Sequence, residues 1–375
     1  MIQTTQTENV AAADLLQQGL ALSQEQDYTA AIAQFDRLLE LHPDYPGAWY
    51  EKGLVWMNLD NPQEALFCFQ RAATTEPNSP LVRYSLGWAA YSAGRYDFAI
   101  ASFQQALSLQ PDFPNAHYSL GLAFYGSSQV EAALPAFRSA LEQQPDSADL
   151  WYVSGAALAI TGRLEGAISH FNKALERQPD HTDALSSRGA ALGQLGDYEA
   201  AIASYTQALR LQPEDTDTWY RYATALKHLG RQEEALAAYE RVVALEPNHL
   251  LAWYGQGSSQ MRQNDFAGAI VSFDKTLKLK PDYYEAWFNR GVALKNLGRL
   301  DEAVTSYDRA LKLRPEDSRA WNNRGGVLVN LGRLPEAVTS FERVLAIDPN
   351  DTRAYQNRLV VLKRLEAMKV RSSQG

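Results

Sequence analysis

Apolar residues return at helical spacing in blocks that repeat every 34 residues. One block places Trp287, Gly291 and Leu294 on one stripe, breaks at Gly298, then places Ala303, Tyr307 and Leu311 on a second. Residues three or four apart share a helix face, so each block predicts two amphipathic helices joined by a tight turn. The turn falls at Gly94, Gly162, Gly196, Gly230, Gly298 or Gly332, with Asn264 as a substitute. These residues tolerate the left-handed conformation that closes a helix. Each second helix stops before a proline, from Pro43 to Pro349 in steps of 34, because a proline disfavours helix in its predecessor. An alanine column (Ala31 to Ala337) is followed four residues on by Phe or Tyr, and a glycine column runs from Gly19 to Gly325, broken only by Ala223.

Trp, Leu-Gly, Tyr, Ala, Phe/Tyr, Ala and Pro at set places in a 34-residue unit resemble the tetratricopeptide repeat. The resemblance covers 12–351 as ten repeats: 12–45, 46–79, 80–113, 114–147, 148–181, 182–215, 216–249, 250–283, 284–317 and 318–351. Residues 352–369 read as a capping helix with Tyr355 in the Trp position, and 1–11 and 370–375 as disordered tails. The implied fold is all-α, a right-handed superhelical α-solenoid of antiparallel helix pairs. Repeat four departs from the pattern, with Ser128 at the turn, Gly126 near the first helix end and Pro135 inside the second helix. An interior proline removes a backbone hydrogen bond, so this repeat is the expected soft point.

The hydrophobic content of 46% promises a packed core, and no apolar run approaches a membrane span. The opening sequence lacks a secretory pattern, and Cys68 is the single cysteine, so a cytoplasmic protein is expected. Net charge is −9, divided as −15 over residues 1–250 and +6 over 251–375. That balance disfavours non-specific nucleic-acid binding. Six scattered histidines form no metal-ligand spacing and no phosphate loop is present, so neither enzyme activity, metal nor cofactor is expected.

In the family resembled, the first helix of every repeat lines a concave groove that holds peptides or partner helices. On that basis two groups of side chains are candidates. Tyr50, Tyr84, Trp88, Tyr91, Tyr118, Tyr125 and Tyr152 give an aromatic section, in which Trp88 occupies a column otherwise held by Leu, Val, Ala, Thr, Ser or Gly. Exposed aromatics are the usual anchors of protein interfaces. Asn289, Lys295, Arg319, Asn323, Arg353 and Asn357 give a polar, basic section. Asparagines carry donor and acceptor together and suit a peptide backbone, while the cations suit an acidic segment. Arg290, Arg324 and Arg358 beside them are read as partners of neighbouring acids. The carboxylate clamp of co-chaperone members does not fit, because Phe288 and Val292 stand in two of its positions.

These features point to a protein-interaction scaffold or assembly factor that binds peptide or helical segments, with a homodimer left open. An accessory subunit acting in trans on an enzyme or on membrane-complex assembly machinery is an alternative. A single-stranded RNA binder built like the pentatricopeptide arrays is a third, disfavoured by charge and by the strict 34-residue period. The Gln- and Ala-rich composition resembles that of bacterial members.

Overall fold

The computed structural model describes residues 2–373, with side chains described from 11 to 370. The described residues form α-helices and short connections, in two units, Met1–Ala191 and Leu192–Gly375. The first holds α1 (Ile2–Gln24), α2 (Tyr28–Leu41), α3 (Ala48–Asn58), α4 (Pro62–Thr75), α5 (Pro80–Ser92), α6 (Tyr96–Leu109), α7 (Ala116–Gly126), α8 (Val130–Gln143), α9 (Ala148–Ile160) and α10 (Leu164–Arg177). The boundary falls within α11 (Thr182–Gln194). The second holds α12 (Tyr198–Leu211), α13 (Thr216–His228), α14 (Gln232–Leu245), α15 (Leu250–Arg262), α16 (Phe266–Leu279), α17 (Tyr284–Asn296), α18 (Leu300–Leu313), α19 (Ser318–Asn330), α20 (Leu334–Ile347) and α21 (Thr352–Ser373). Within each unit a first helix packs on its own second helix, which packs on the next first helix. Each unit is thus an all-α solenoid of helix pairs.

Both ends differ from expectation. The stretch 1–11 is helical from Ile2 as part of α1, since no Gly or Pro interrupts residues 2–18; Met1 lies outside the described residues. Likewise α21 runs past Lys369 to Ser373, while 374–375 lie outside the described residues.

The glycine column is explained by the aromatic 16 residues later. A Cβ on Gly53, Gly87, Gly121, Gly155, Gly257, Gly291 or Gly325 would meet the ring of Phe69, Phe103, Phe137, Phe171, Phe273, Tyr307 or Phe341 at 2.5–2.8 Å. Those rings are fully buried, each contributing roughly 2–3 kcal/mol. Repeat seven solves the break at Ala223 differently: the Tyr239 ring lies against Gly255 of the next repeat, where a Cβ would sit 2.5 Å away. The Trp and Pro columns are also linked. The indole N–H of Trp49, Trp151, Trp219, Trp253, Trp287 and Trp321 donates to the carbonyl of the proline six residues earlier, at 2.7–2.9 Å. His117 takes the same place against Pro111 at 3.0 Å.

In repeat four, Ser128 adopts the left-handed turn with φ 63°. Gly126 has a packing reason, because a Cβ there would come 2.8 Å from the Tyr96 ring. Across Pro135, α8 keeps the 14 residues of α6 and α10. Cys68 is buried in α4, and burial pushes its thiol up to about 12, as suits a core filler.

Candidate functional site

The Tyr column of the first helices is used for packing. Tyr50, Tyr84, Tyr118 and Tyr152 lie half-buried with ring centroids 5.6–6.3 Å from Phe69, Phe103, Phe137 and Phe171 of their own repeats. Burial raises the phenol pKa of Tyr50, Tyr118 and Tyr152. Three of these hydroxyls reach across to the next repeat, 35 residues on. Tyr84 shares a 3.2 Å hydrogen bond with Ser119, and Tyr50 and Tyr152 bond to Ser85 and Ser187. Tyr50, Tyr84 and Tyr152 thus brace adjacent first helices, while Tyr118 faces Val153 at the corresponding position and makes no such bond among the described residues.

Trp88 and Tyr91 are arranged differently. Trp88 is 38% exposed and stacks on Tyr91, with centroids 5.4 Å apart and planes at 18°. Tyr91 meets Tyr96 edge-on at 5.6 Å and lies near enough to Tyr118 to raise its pKa further. Tyr125, half-buried beside the Phe137 core, stands in the same relation to Tyr152. In the first unit, two aliphatic residues of the first helices were not singled out by sequence reading: Leu81 is 46% exposed and Ile160 60%. A signal for Leu81 existed, since its column is otherwise mostly polar, as in Asn115, Asp149, Asp183 and Asp217.

In the second unit the Asn ladder divides. Asn289 donates to the Tyr254 hydroxyl at 3.0 Å, completing the same 35-residue brace. The position 35 before Asn323 holds Phe288, which offers no hydroxyl, and that before Asn357 holds Asn322. Among the described residues, neither Asn323 nor Asn357 takes part in a hydrogen bond through its side chain. Two of the three neighbouring arginines pair with acids as expected, whereas Arg358 lies over the Tyr355 ring at 5.9 Å and pairs with no acid among the described residues. Arg290 bonds Asp274 at 2.6 Å and Ser306 at 2.8 Å, and Arg324 bonds Asp308 and Ser340 at the same distances. Their guanidinium groups lie over Trp287 and Trp321 at 5.8 and 5.7 Å. Each of these two therefore ties its first helix to the second helices before and after it.

Arg319 is not a free cation. It bonds Asp317 at 2.9 Å and lies over the Phe288 ring at 5.5 Å. Asp317 also accepts from the Tyr284 hydroxyl at 2.5 Å and caps α19 through the Arg319 and Ala320 N–H groups. Burial works to raise the Asp317 carboxyl, but Arg319, Tyr284 and Ala320 together hold it at about 2. Lys295 and Arg353, by contrast, enter no ion pair among the described residues.

Helix pairs repeated in this way, with some outward side chains of the first helices left unused by the core, define a helical-repeat protein-interaction scaffold. Tetratricopeptide repeat models match residues 118–182, 187–249, 254–305 and 293–352, and residues 18–84, and a TPR repeat model matches 89–128. The chain belongs to the tetratricopeptide-repeat family. A comparison with curated proteins finds no significant match. Among solved structures, the chain is similar to YrrB, described as a TPR protein with an unusual peptide-binding site. Identity is 25% over 49% of this chain and 95% of that one, with a TM-score of 0.47. It is also similar to MamA from Desulfovibrio magneticus RS-1, at 24% identity over 44% of this chain and 94% of that one, TM-score 0.43.

Proposed function

We propose that the chain is a non-enzymatic scaffold or assembly factor that holds partner proteins on the face of its first helices. The observation that carries this reading is the stacked Trp88–Tyr91 pair. A tryptophan filling a core would be buried, yet Trp88 is 38% exposed in a column that elsewhere accepts Gly326 or Ala156. With Leu81 nearby in sequence on α5, it offers an apolar anchor for a helical or hydrophobic segment. Such anchors typically contribute about 2 kcal/mol or more each. Asn323, Asn357, Lys295 and Arg353 form the polar counterpart, suited to an extended segment. The same face would serve an accessory subunit acting in trans, and the identity of the captured protein decides between the two.

The test is capture from native lysate with the full chain against a Trp88→Ala variant of matched melting temperature. Loss of a protein that the wild type retains supports the aromatic anchor. Equal retention of every captured protein by both forms refutes it.

A further inference from the structure

Cations with structural work in the second unit are matched to carboxylates: Arg290 to Asp274, Arg324 to Asp308, Arg314 to Glu285, Arg319 to Asp317. Among the cations that are not so matched, three stand at the ends of first helices. Lys227, Arg262 and Lys295 sit in the last turns of α13, α15 and α17, which are consecutive first helices in contact with one another. None of the three enters an ion pair or a side-chain hydrogen bond among the described residues. The carboxylates of these helices lie at the opposite end, with Asp217 and Glu285 in the first turns of α13 and α17. The face is therefore polarised, acidic at one edge and basic at the other.

We propose that Lys227, Arg262 and Lys295 form a row that receives the carboxylates of an extended acidic segment of a partner protein. The proposal rests on the scaffold reading and adds the chemistry of one ligand.

Cations in a last turn also offset the helix dipole, about 0.3–1 kcal/mol each. That role does not require Lys227 and Arg262 to stand close enough to repel one another, and here they do. Burial and the charge of Arg262 both lower the Lys227 pKa. The unbound protein thus carries like charges at close quarters, one of them half-buried, and an anion between them would relieve the repulsion. Packed helices lie about 8–10 Å apart, which an extended chain spans in roughly three residues. The fitting ligand therefore carries Asp or Glu at every third position. Nucleic acid fits less well, since its binding requires a longer cationic track with stacking aromatics. The row is also distinct from a carboxylate clamp, whose positions here hold Phe288 and Val292.

The test uses fluorescence anisotropy of a labelled peptide with Glu at every third position, beside the same peptide with Gln, on the full chain. We expect the Glu probe to bind, more tightly at low salt, and the Gln probe not to bind. Arg262→Glu with Lys295→Glu should weaken binding by about tenfold or more. Lys275→Glu with Lys278→Glu, the same charge change on α16, should leave it unaltered. The proposal is overturned if the Glu probe does not bind, if the Gln probe binds equally, or if the α16 variant loses as much. It is also overturned if single-stranded RNA competes for the row more tightly than the Glu probe. Such a failure leaves the Trp88 result standing, because capture through the aromatic anchor is read in a separate experiment.

Discussion

Two adjacent glycines of α19 should respond with opposite sign to the same substitution. An alanine at Gly325 would place its Cβ 2.7 Å from Cε1 of Phe341, whereas Gly326 has no such atom within 4 Å. Glycine in a helix interior costs about 1 kcal/mol relative to alanine, so Gly326→Ala should stabilise by up to about that amount. Gly325→Ala gains the same propensity but overpacks a buried ring, at a cost of about 1–3 kcal/mol. The Phe341 ring lacks the escape used by Tyr239, because the position corresponding to Gly255 is Asn357. Since propensity cancels between the two variants, their difference isolates the ring contact at about 1–3 kcal/mol. The assay is urea denaturation followed by hydrogen exchange of α19, so that both variants report on the same local unit of a repeat array. Equal stability of the two variants would refute the packing account of the glycine column, as would a stabilised Gly325→Ala.

Repeat eight should tolerate, and benefit from, loss of polarity. Gln260, buried where repeats seven, nine and ten carry Leu226, Leu294 and Leu328, accepts only from the Ser272 hydroxyl at 2.7 Å. Gln260→Leu should raise stability by about 1 kcal/mol, since Ser272 can turn to its helix carbonyl as Ser204 and Ser306 do; a lower melting temperature would count against this. For Asp317, a folded value of about 2 against an ordinary 3.8 means its contribution is complete above about pH 4 and lost as pH falls towards 2. The stability difference between wild type and Asp317→Asn should therefore shrink across that window in acid-unfolding titrations, and a difference independent of pH would contradict the assignment. Trp88→Ala should change the stability by no more than about 1 kcal/mol in urea denaturation, because Trp88 is 38% exposed and the same column carries Ala156 and Gly326 in other repeats.

The repeat boundaries, the turns and the glycine–aromatic pairing were legible because each depends on residues at a fixed spacing within one 34-residue unit. The pairing of Arg290 and Arg324 was legible for the same reason, with Asp274 and Asp308 each 16 residues earlier. The candidate site was less so. The tyrosine braces join residues 35 apart, one step outside the period, so a column-by-column reading takes a strut for a free anchor. Arg319 looks available until Asp317, two residues before it and in the preceding repeat, is seen to hold it. The row of Lys227, Arg262 and Lys295 escaped notice because Arg262 is one column removed from the two lysines, and only adjacent helix ends bring them together.

The bond from the indole of the Trp column to the proline six residues before it, made by Trp49, Trp151, Trp219, Trp253, Trp287 and Trp321, has a consequence for how such a chain can change length. Six residues separate Trp287 from Pro281, and the N–H reaches the carbonyl at 2.8 Å. From Tyr284 onward that link is helical, so removing one residue there turns Trp287 by about 100° around the helix axis and carries its N–H away from the carbonyl. Excising a whole 34-residue unit, however, rejoins a proline to a tryptophan at the original spacing. The chain is therefore quantised: its reach can be shortened or extended by whole helix pairs, while slips of a single residue between a second helix and the next first helix are proofread by the fold itself.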